Sequence, residues 1–189
     1  MRIIAGIRRG LVLNTFDEEA IRPTKDRVKE SVFNILANII DIAETQVLDL
    51  FAGTGNLGIE ALSRGAAKST FVELHSKAIQ VLRNNVIKCR FEQHTEVITG
   101  DALEFVSSAA VKKYDIIFAD PPYAMRTGAM IAKKIDAGKW LNPGGVLVIE
   151  TSPEEIENEW LPAHGLTMHK QKTWGESAVS FLMNKANEL

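Results

Sequence analysis

Between residues 46 and 150 short apolar runs and helix-like runs alternate five times, and this alternation constrains the fold more than any other feature of the 189-residue chain. The runs 47–51, 69–74, 95–99, 114–119 and 145–150 read as strands. The stretches between them, 59–64, 78–86, 102–110 and 127–140, carry apolar residues at helical spacing. Strands that follow one another through helices must run parallel, and nearly continuous apolar strands must be covered on both faces. The expectation is therefore a doubly wound, three-layer α/β sandwich, with any ligand at the carboxyl ends of the strands.

Both ends of the chain break the rhythm. Residues 166–173 and 178–184 are separated only by Trp174-Gly175-Glu176-Ser177, the pattern of an antiparallel hairpin closing one sheet edge. At the other end, residues 2–6 and 11–15 read as a small hairpin. Thr24 is placed to cap a helix with Val28, Val32, Ile35, Leu36 and Ile39 along one stripe. Residues 1–40 are thus expected to form an extension ahead of a core domain over residues 41–189.

Composition narrows the class. No apolar run approaches the ~20 residues that span a bilayer, and residues 1–9 lack the apolar stretch and cleavage site of a secretory signal, so a cytoplasmic protein is expected. Cys89 is the sole cysteine and the four histidines are scattered, so neither an internal disulfide nor a structural metal is expected. A net charge of −2 argues against coating nucleic acid by charge alone. The distribution is uneven, however: Arg2, Arg8, Arg9, Arg22, Lys25, Arg27 and Lys29 crowd the first 29 residues, while residues 150–159 hold five glutamates and no base. The N-terminal end is the better phosphate-facing side, although solvated surface charge explains the same residues.

Gly53, Gly55 and Gly58 follow the first strand as G-x-G-x-x-G, and Glu73 lies 20 residues beyond Gly53 at the end of the second. Glycines allow a tight turn and close backbone approach, and a carboxylate at that distance can accept hydrogen bonds from ribose hydroxyls. Any adenosine-bearing cofactor could use both. Asp49, inside the first strand, would repel a pyrophosphate but suits a cationic or amino-bearing ligand, and S-adenosylmethionine carries both a sulfonium and an amino group. Asp101 can reach an adenine amino group across the same cleft, or can simply cap the helix that follows it.

The most specific signal is Asp120-Pro121-Pro122-Tyr123 at the end of the fourth strand. Consecutive prolines restrict the backbone and leave carbonyls without local amide donors. An exocyclic base amine is a poor nucleophile because its lone pair is delocalised into the ring. Hydrogen bonds from its N–H groups to the Asp120 carboxylate and the Pro121 carbonyl favour a more pyramidal nitrogen, and Tyr123 can stack on the base for roughly 1–3 kcal/mol. Alignment and electrostatics then suffice for methyl transfer from a sulfonium. A base in a duplex cannot enter such a site, so the target must be flipped out or unpaired.

With these motifs the chain resembles the bacterial small-subunit ribosomal RNA guanine-N2 methyltransferases of the RsmD type. The resemblance covers nearly the whole chain. It is carried by Arg2-Ile3-Ile4-Ala5-Gly6 with Arg9-Gly10, by Arg22-Pro23-Thr24-x-Asp26-Arg27-Val28-Lys29-Glu30 with Phe33-Asn34, by Asp49-Leu50-Phe51-Ala52-Gly53-Thr54-Gly55 with residues 57–65, and by Asp120-Pro121-Pro122-Tyr123. It implies a Rossmann-like class I methyltransferase fold with a mostly parallel seven-stranded sheet, S-adenosylmethionine as cofactor, and N2 of a 16S ribosomal RNA guanine, within a 30S particle or assembly intermediate, as acceptor. Asp49, Phe51, Gly53, Gly55, Glu73 and Asp101 fall on the cofactor side, and Asp120, Pro121, Pro122 and Tyr123 on the catalytic motif. Arg2, Arg8, Arg9, Arg22 and Arg27 are the expected RNA contacts, with Arg22, Thr24 and Arg27 placed as a lid over cofactor or RNA. Two positions depart from the family pattern, His75 and Asn56, and both bear on cofactor affinity. Three other readings stay open: an adenine-N6 DNA methyltransferase, a nicotinamide-dependent oxidoreductase, which leaves residues 120–123 without a role, and a non-catalytic RNA-binding module.

Overall fold

The structure, a computed structural model, describes residues 1–15, 23–122, 127–153 and 165–185, with no side-chain description for residues 23–25. Expectations for Arg22, for Tyr123 and for the Thr24 side chain lie outside the described part. The described elements run α1 (Pro23–Leu36), β1 (Gln46–Leu50), α2 (Asn56–Ser63), β2 (Lys68–Glu73), α3 (Ser76–Cys89), β3 (Thr95–Thr99), α4 (Ala102–Phe105), β4 (Tyr114–Ala119), α5 (Gly128–Ala137), β5 (Leu141–Thr151), β6 (Leu166–Trp174) and β7 (Ser177–Asn184). They form one seven-stranded sheet in the order β3-β2-β1-β4-β5-β7-β6. Strands β1 to β5 pair in parallel, and β7 runs antiparallel to both β5 and β6.

The two-residue period of the strands sorts their side chains into two cores. From β4, Ile116 and Phe118 join Phe33, Leu36, Ile59 and Leu82 on the side of α1, α2 and α3. Ile117 and Ala119 face the opposite way, with Ile131, Ile135 and Trp140 around α5. By the same alternation Asp49 shares the α2 side with Val47, whereas Leu48 and Leu50 point to the α5 side. The strand order reverses between β1 and β4, since β1 leads outward to β2 and β3 before the chain returns to β4. A crevice is expected at the carboxyl ends of β1 and β4.

The hairpin expected at residues 2–15 is reduced to a single antiparallel bridge between Arg2 and Val12. The chain is drawn toward α2 instead: the Ala5 amide, which a longer ladder would use, donates to the Glu60 carboxylate at 3.0 Å, and the Ile4 amide, on the outer side of the alternation, donates to it at 2.8 Å. The helix expected over residues 102–110 stops at Phe105. Among the described residues no helix is long and apolar enough to cross a membrane.

Candidate active site

Every described candidate on the cofactor side and in the catalytic motif sits at the carboxyl edge of the parallel sheet. Leu50 pairs with Ala119, so the residues that follow, Phe51 and Asp120, leave the sheet side by side across the β1/β4 switch point. Phe51 turns into the glycine loop with φ of 58°, a left-handed conformation costly for a non-glycine residue and typical of functional turns. Asp120 is exposed, Pro121 is buried and Pro122 is exposed.

The three glycines of the loop do different work. At Gly53, with φ of 55°, a Cβ would meet nothing nearer than the Phe51 carbonyl at 4.0 Å, so this glycine borders open space. At Gly58 a Cβ would collide with the Phe71 ring and Ser69 Oγ, which is the close approach of helix to sheet. Gly55 lies against the Leu82 side chain of α3. Only the first of the three borders open space; the other two set the packing that positions it.

Glu73 fastens the loop. Its Oε2 accepts from the Gly53 amide at 2.8 Å, and Oε1 accepts from the amides of Leu74 and His75 at 2.9 and 2.8 Å. A carboxylate offers about four lone-pair sites, so roughly one remains for a ribose hydroxyl. His75 contributes that backbone amide, and the residue itself is exposed. Asp101 caps α4, accepting from the Glu104 amide at 2.8 Å, and is half-buried beside the cleft. The capping role is thus real, and it is compatible with the ligand role.

Asp49 differs from these. It is only 3 % exposed and, among the described residues, has one hydrogen bond, accepted by Oδ2 from the Gly58 amide at 2.9 Å. Burial pushes its carboxyl up to about 8, the Gly58 amide opposes the shift, and the charges of Asp120 and Glu73 add to it. A cationic group entering the cleft would favour the ionised form and oppose that shift. The donor set therefore fits S-adenosylmethionine: open space at Gly53, an acceptor site left on Glu73, and an acid at the floor whose ionisation calls for a positive partner.

The N-terminal candidates are arranged otherwise. Residues 1–14 lie along the seam between α2 and α3: Asn14 exchanges hydrogen bonds with Asn85, whose amide also reaches the Thr54 carbonyl, and Ile7 donates to the Ser63 carbonyl. Arg2 pairs with Asp26 at 3.4 Å, Arg8 Nε donates to the Cys89 carbonyl at 2.6 Å, and Arg9 and Arg27 are exposed. Lys29, one more surface base by sequence, is 3 % exposed. Its Nζ donates to the Arg2 carbonyl and to Asn56 Oδ1, and pairs with Glu60 at 3.2 Å. Burial pushes the Lys29 ammonium down, and Glu60 opposes that. Glu60, itself fully buried, also holds Arg64 at 2.9 Å. A signal for this burial exists in the sequence: Lys29 lies three, four and seven positions before Val32, Phe33 and Leu36, all buried, and so belongs to the inward stripe. Asn56, expected to bear on cofactor affinity, has its side chain spent on Lys29.

Among the described residues no group of three or more His, Cys, Asp or Glu could hold a metal ion. The antiparallel β7 inserted between β5 and β6 departs from the parallel 3-2-1-4-5-6 sheet of dinucleotide-binding domains, which counts against the nicotinamide reading.

A family model described as Conserved hypothetical protein 95 matches residues 1–183. Ribosomal RNA small subunit methyltransferase D from Haemophilus influenzae is 38% identical, over 93% of this chain and 89% of its own length. The protein of the same name from Escherichia coli is 33% identical, over 98% of this chain and 91% of its own. The solved structure of yhhF from Escherichia coli, 31% identical, superposes with a TM-score of 0.85 over 99% of both chains.

Proposed function

Because the chain belongs to the RsmD-type family of small-subunit ribosomal RNA methyltransferases, we propose that it uses S-adenosylmethionine to methylate the exocyclic N2 of a guanine in 16S ribosomal RNA. The observation that carries this reading is the emergence of Asp120-Pro121-Pro122 beside the Phe51–Gly53 turn at the β1/β4 switch point, with the Asp120 charge felt at Asp49. Donor and acceptor pockets therefore share one edge of the sheet.

The cofactor supplies an electrophilic methyl group on a sulfonium. The chain supplies position and field. Asp49 at the floor attracts the positive end of the donor, Glu73 receives a ribose hydroxyl, and Gly53 leaves the room that a side chain would fill. The Asp120 carboxylate and the Pro121 carbonyl would accept the two N–H bonds of the guanine amine and turn its lone pair toward the donor; as the N–C bond forms the C–S bonding pair would stay with sulfur, and one amine proton would pass by way of Asp120 to solvent. Pro121 and Pro122 have no amide hydrogen to compete for these acceptors. Asp101 holds its helix cap and faces the adenine side. The exposure of Asp120 suits a nucleotide that is already unpaired or has been flipped outward. Substrate held in a partly assembled 30S particle in the cytoplasm fits the modest net charge, because a chain at −2 gains little affinity from phosphates overall.

The experiment is to incubate the protein with methyl-labelled cofactor and either small-subunit particles from cells lacking it or unmethylated duplex DNA, then to digest and identify the labelled nucleoside. N2-methylguanosine from the particle is expected. Label confined to N6-methyladenine of the DNA would replace this reading with the DNA alternative.

A further inference from the structure

The cationic surface of the N-terminal extension divides into two concavities of different chemistry. One, of about 600 Å³, is lined by Arg2, Arg9 and Arg27 together with Asp26 and Glu30. Two carboxylates stand among its cations, and Arg2 already pairs with Asp26. The other, of about 380 Å³, is lined by Arg8, Arg9, Gly10, Leu11, Lys88 and Arg90, with no carboxylate among the described residues. Arg9 lines both and stands on the ridge between them.

Three features make the second groove an anion site. Among the described residues none of its four cations enters an ion pair. Arg8 is oriented in advance, its Nε on the Cys89 carbonyl and its guanidinium 5.6 Å from the centre of the Phe91 ring. Lys88 and Arg90 line it from the end of α3, where Lys88 donates to the Asn14 amide oxygen at 3.4 Å. Lys88 and Arg90 are exposed and close the carboxyl end of α3, so the groove gathers like charges whose mutual repulsion an anion between them would offset.

We propose that this groove binds the ribose-phosphate backbone of the substrate RNA, away from the base that is methylated. α3 begins beside the cleft at Ser76 and has 14 residues. At 1.5 Å per residue its far end lies roughly 20 Å from the carboxyl edge of β2. The groove is therefore an anchor on nucleotides several positions from the target, and the concavity that Arg2 and Arg27 share with two carboxylates contributes less. The inference rests on an RNA substrate but not on which base is modified.

The test is the double variant Lys88→Gln with Arg90→Gln, both at exposed positions, compared with Arg27→Gln. A fluorescein-labelled 20-nucleotide single-stranded RNA is titrated at several salt concentrations, and methyl transfer to small-subunit particles is followed in parallel. The double variant is expected to bind the RNA at least tenfold more weakly, with the slope of log affinity against log salt reduced by about 0.7 for each phosphate that is no longer neutralised. KM for the particle should rise by a similar factor while kcat stays within about twofold and S-adenosylhomocysteine affinity is unchanged. Arg27→Gln should shift each value less than threefold. Unchanged RNA affinity and salt slope in a double variant that still binds S-adenosylhomocysteine would overturn the groove, as would a fall in kcat with KM unmoved. Failure of the wild type to methylate any particle would instead overturn the functional reading, and the RNA titration would still decide the groove.

Discussion

Glu60 and Asp49 are both carboxylates buried beside α2, and the structure treats them in opposite ways. Glu60 receives two backbone amides, a lysine and an arginine, so each oxygen is occupied and its charge is matched. Asp49 receives one amide and faces the charges of Asp120 and Glu73. A saturated buried acid is a joint, here fastening the N-terminal extension to the core. An unsaturated one marks a candidate site, because it rests protonated until a cationic ligand favours its ionised form.

The contrast is most easily broken at the joint. Glu60→Ala leaves Lys29 and Arg64 without their shared partner and frees two amides, and removing one member of a buried ion pair costs about 3–5 kcal/mol. The melting temperature should fall by on the order of 10 °C. Thermal denaturation by circular dichroism checks this, and a fall of only a degree or two would mean that Glu60 is no joint. Asp120→Asn should give the reverse profile. Its side chain is exposed, so melting should stay within a few degrees of the wild type, while loss of a positioned acceptor lowers kcat by about 10²–10³-fold. A turnover assay with saturating cofactor separates the two; an Asp120→Asn enzyme of normal kcat would remove the motif from catalysis.

Asp49 sharpens the contrast through pH. Its carboxyl is raised in the folded chain to about 8, so the stability tied to its proton is complete below the unfolded value near 3.8 and is lost as pH rises through 8. Without ligand, Asp49→Asn should therefore melt above the wild type at pH 9 and close to it at pH 4. The wild type must release a proton to accept a cationic donor below pH 8. S-adenosylmethionine affinity should accordingly rise by up to about tenfold per pH unit from 6 toward 8 and then level. Calorimetry in two buffers of different ionisation enthalpy reads that proton directly, and an affinity flat across this range would contradict the assignment of Asp49 as the cation's partner.

The sequence shows the site more fully than the joint, and the reason lies in how each is encoded. The strands β3 and β4 begin and end where their apolar runs do, the antiparallel β6–β7 edge follows from its short turn, and Asp49, Gly53, Glu73, Asp101 and Asp120 are fixed to the sheet edge by strand ends that are visible locally. The Lys29–Glu60 pair joins residues 31 positions apart, and nothing in either segment alone states that they meet. Arg8 on the Cys89 carbonyl spans 81 positions and is hidden for the same reason. The N-terminal hairpin falls short of its alternation because no local pattern reveals that Ile4 and Ala5 give their amides to a helix.

Asn56 provides the smallest test and the one that divides the two regions most finely, since it stands in the glycine loop by sequence and in the joint by contact. Its Oδ1 is one of three acceptors around Lys29 Nζ, at 2.7 Å. If the loop position governs, Asn56→Ala should change cofactor affinity; if the bond to Lys29 governs, it should cost stability. The geometry favours the bond: Asn56→Ala removes one hydrogen bond to a charged group that keeps two other partners, worth roughly 1–2 kcal/mol, or about 3–6 °C in melting temperature. S-adenosylhomocysteine affinity should stay within about twofold by calorimetry. A tenfold loss of that affinity with unchanged melting would return Asn56 to the cofactor side and show that the joint and the site share a residue.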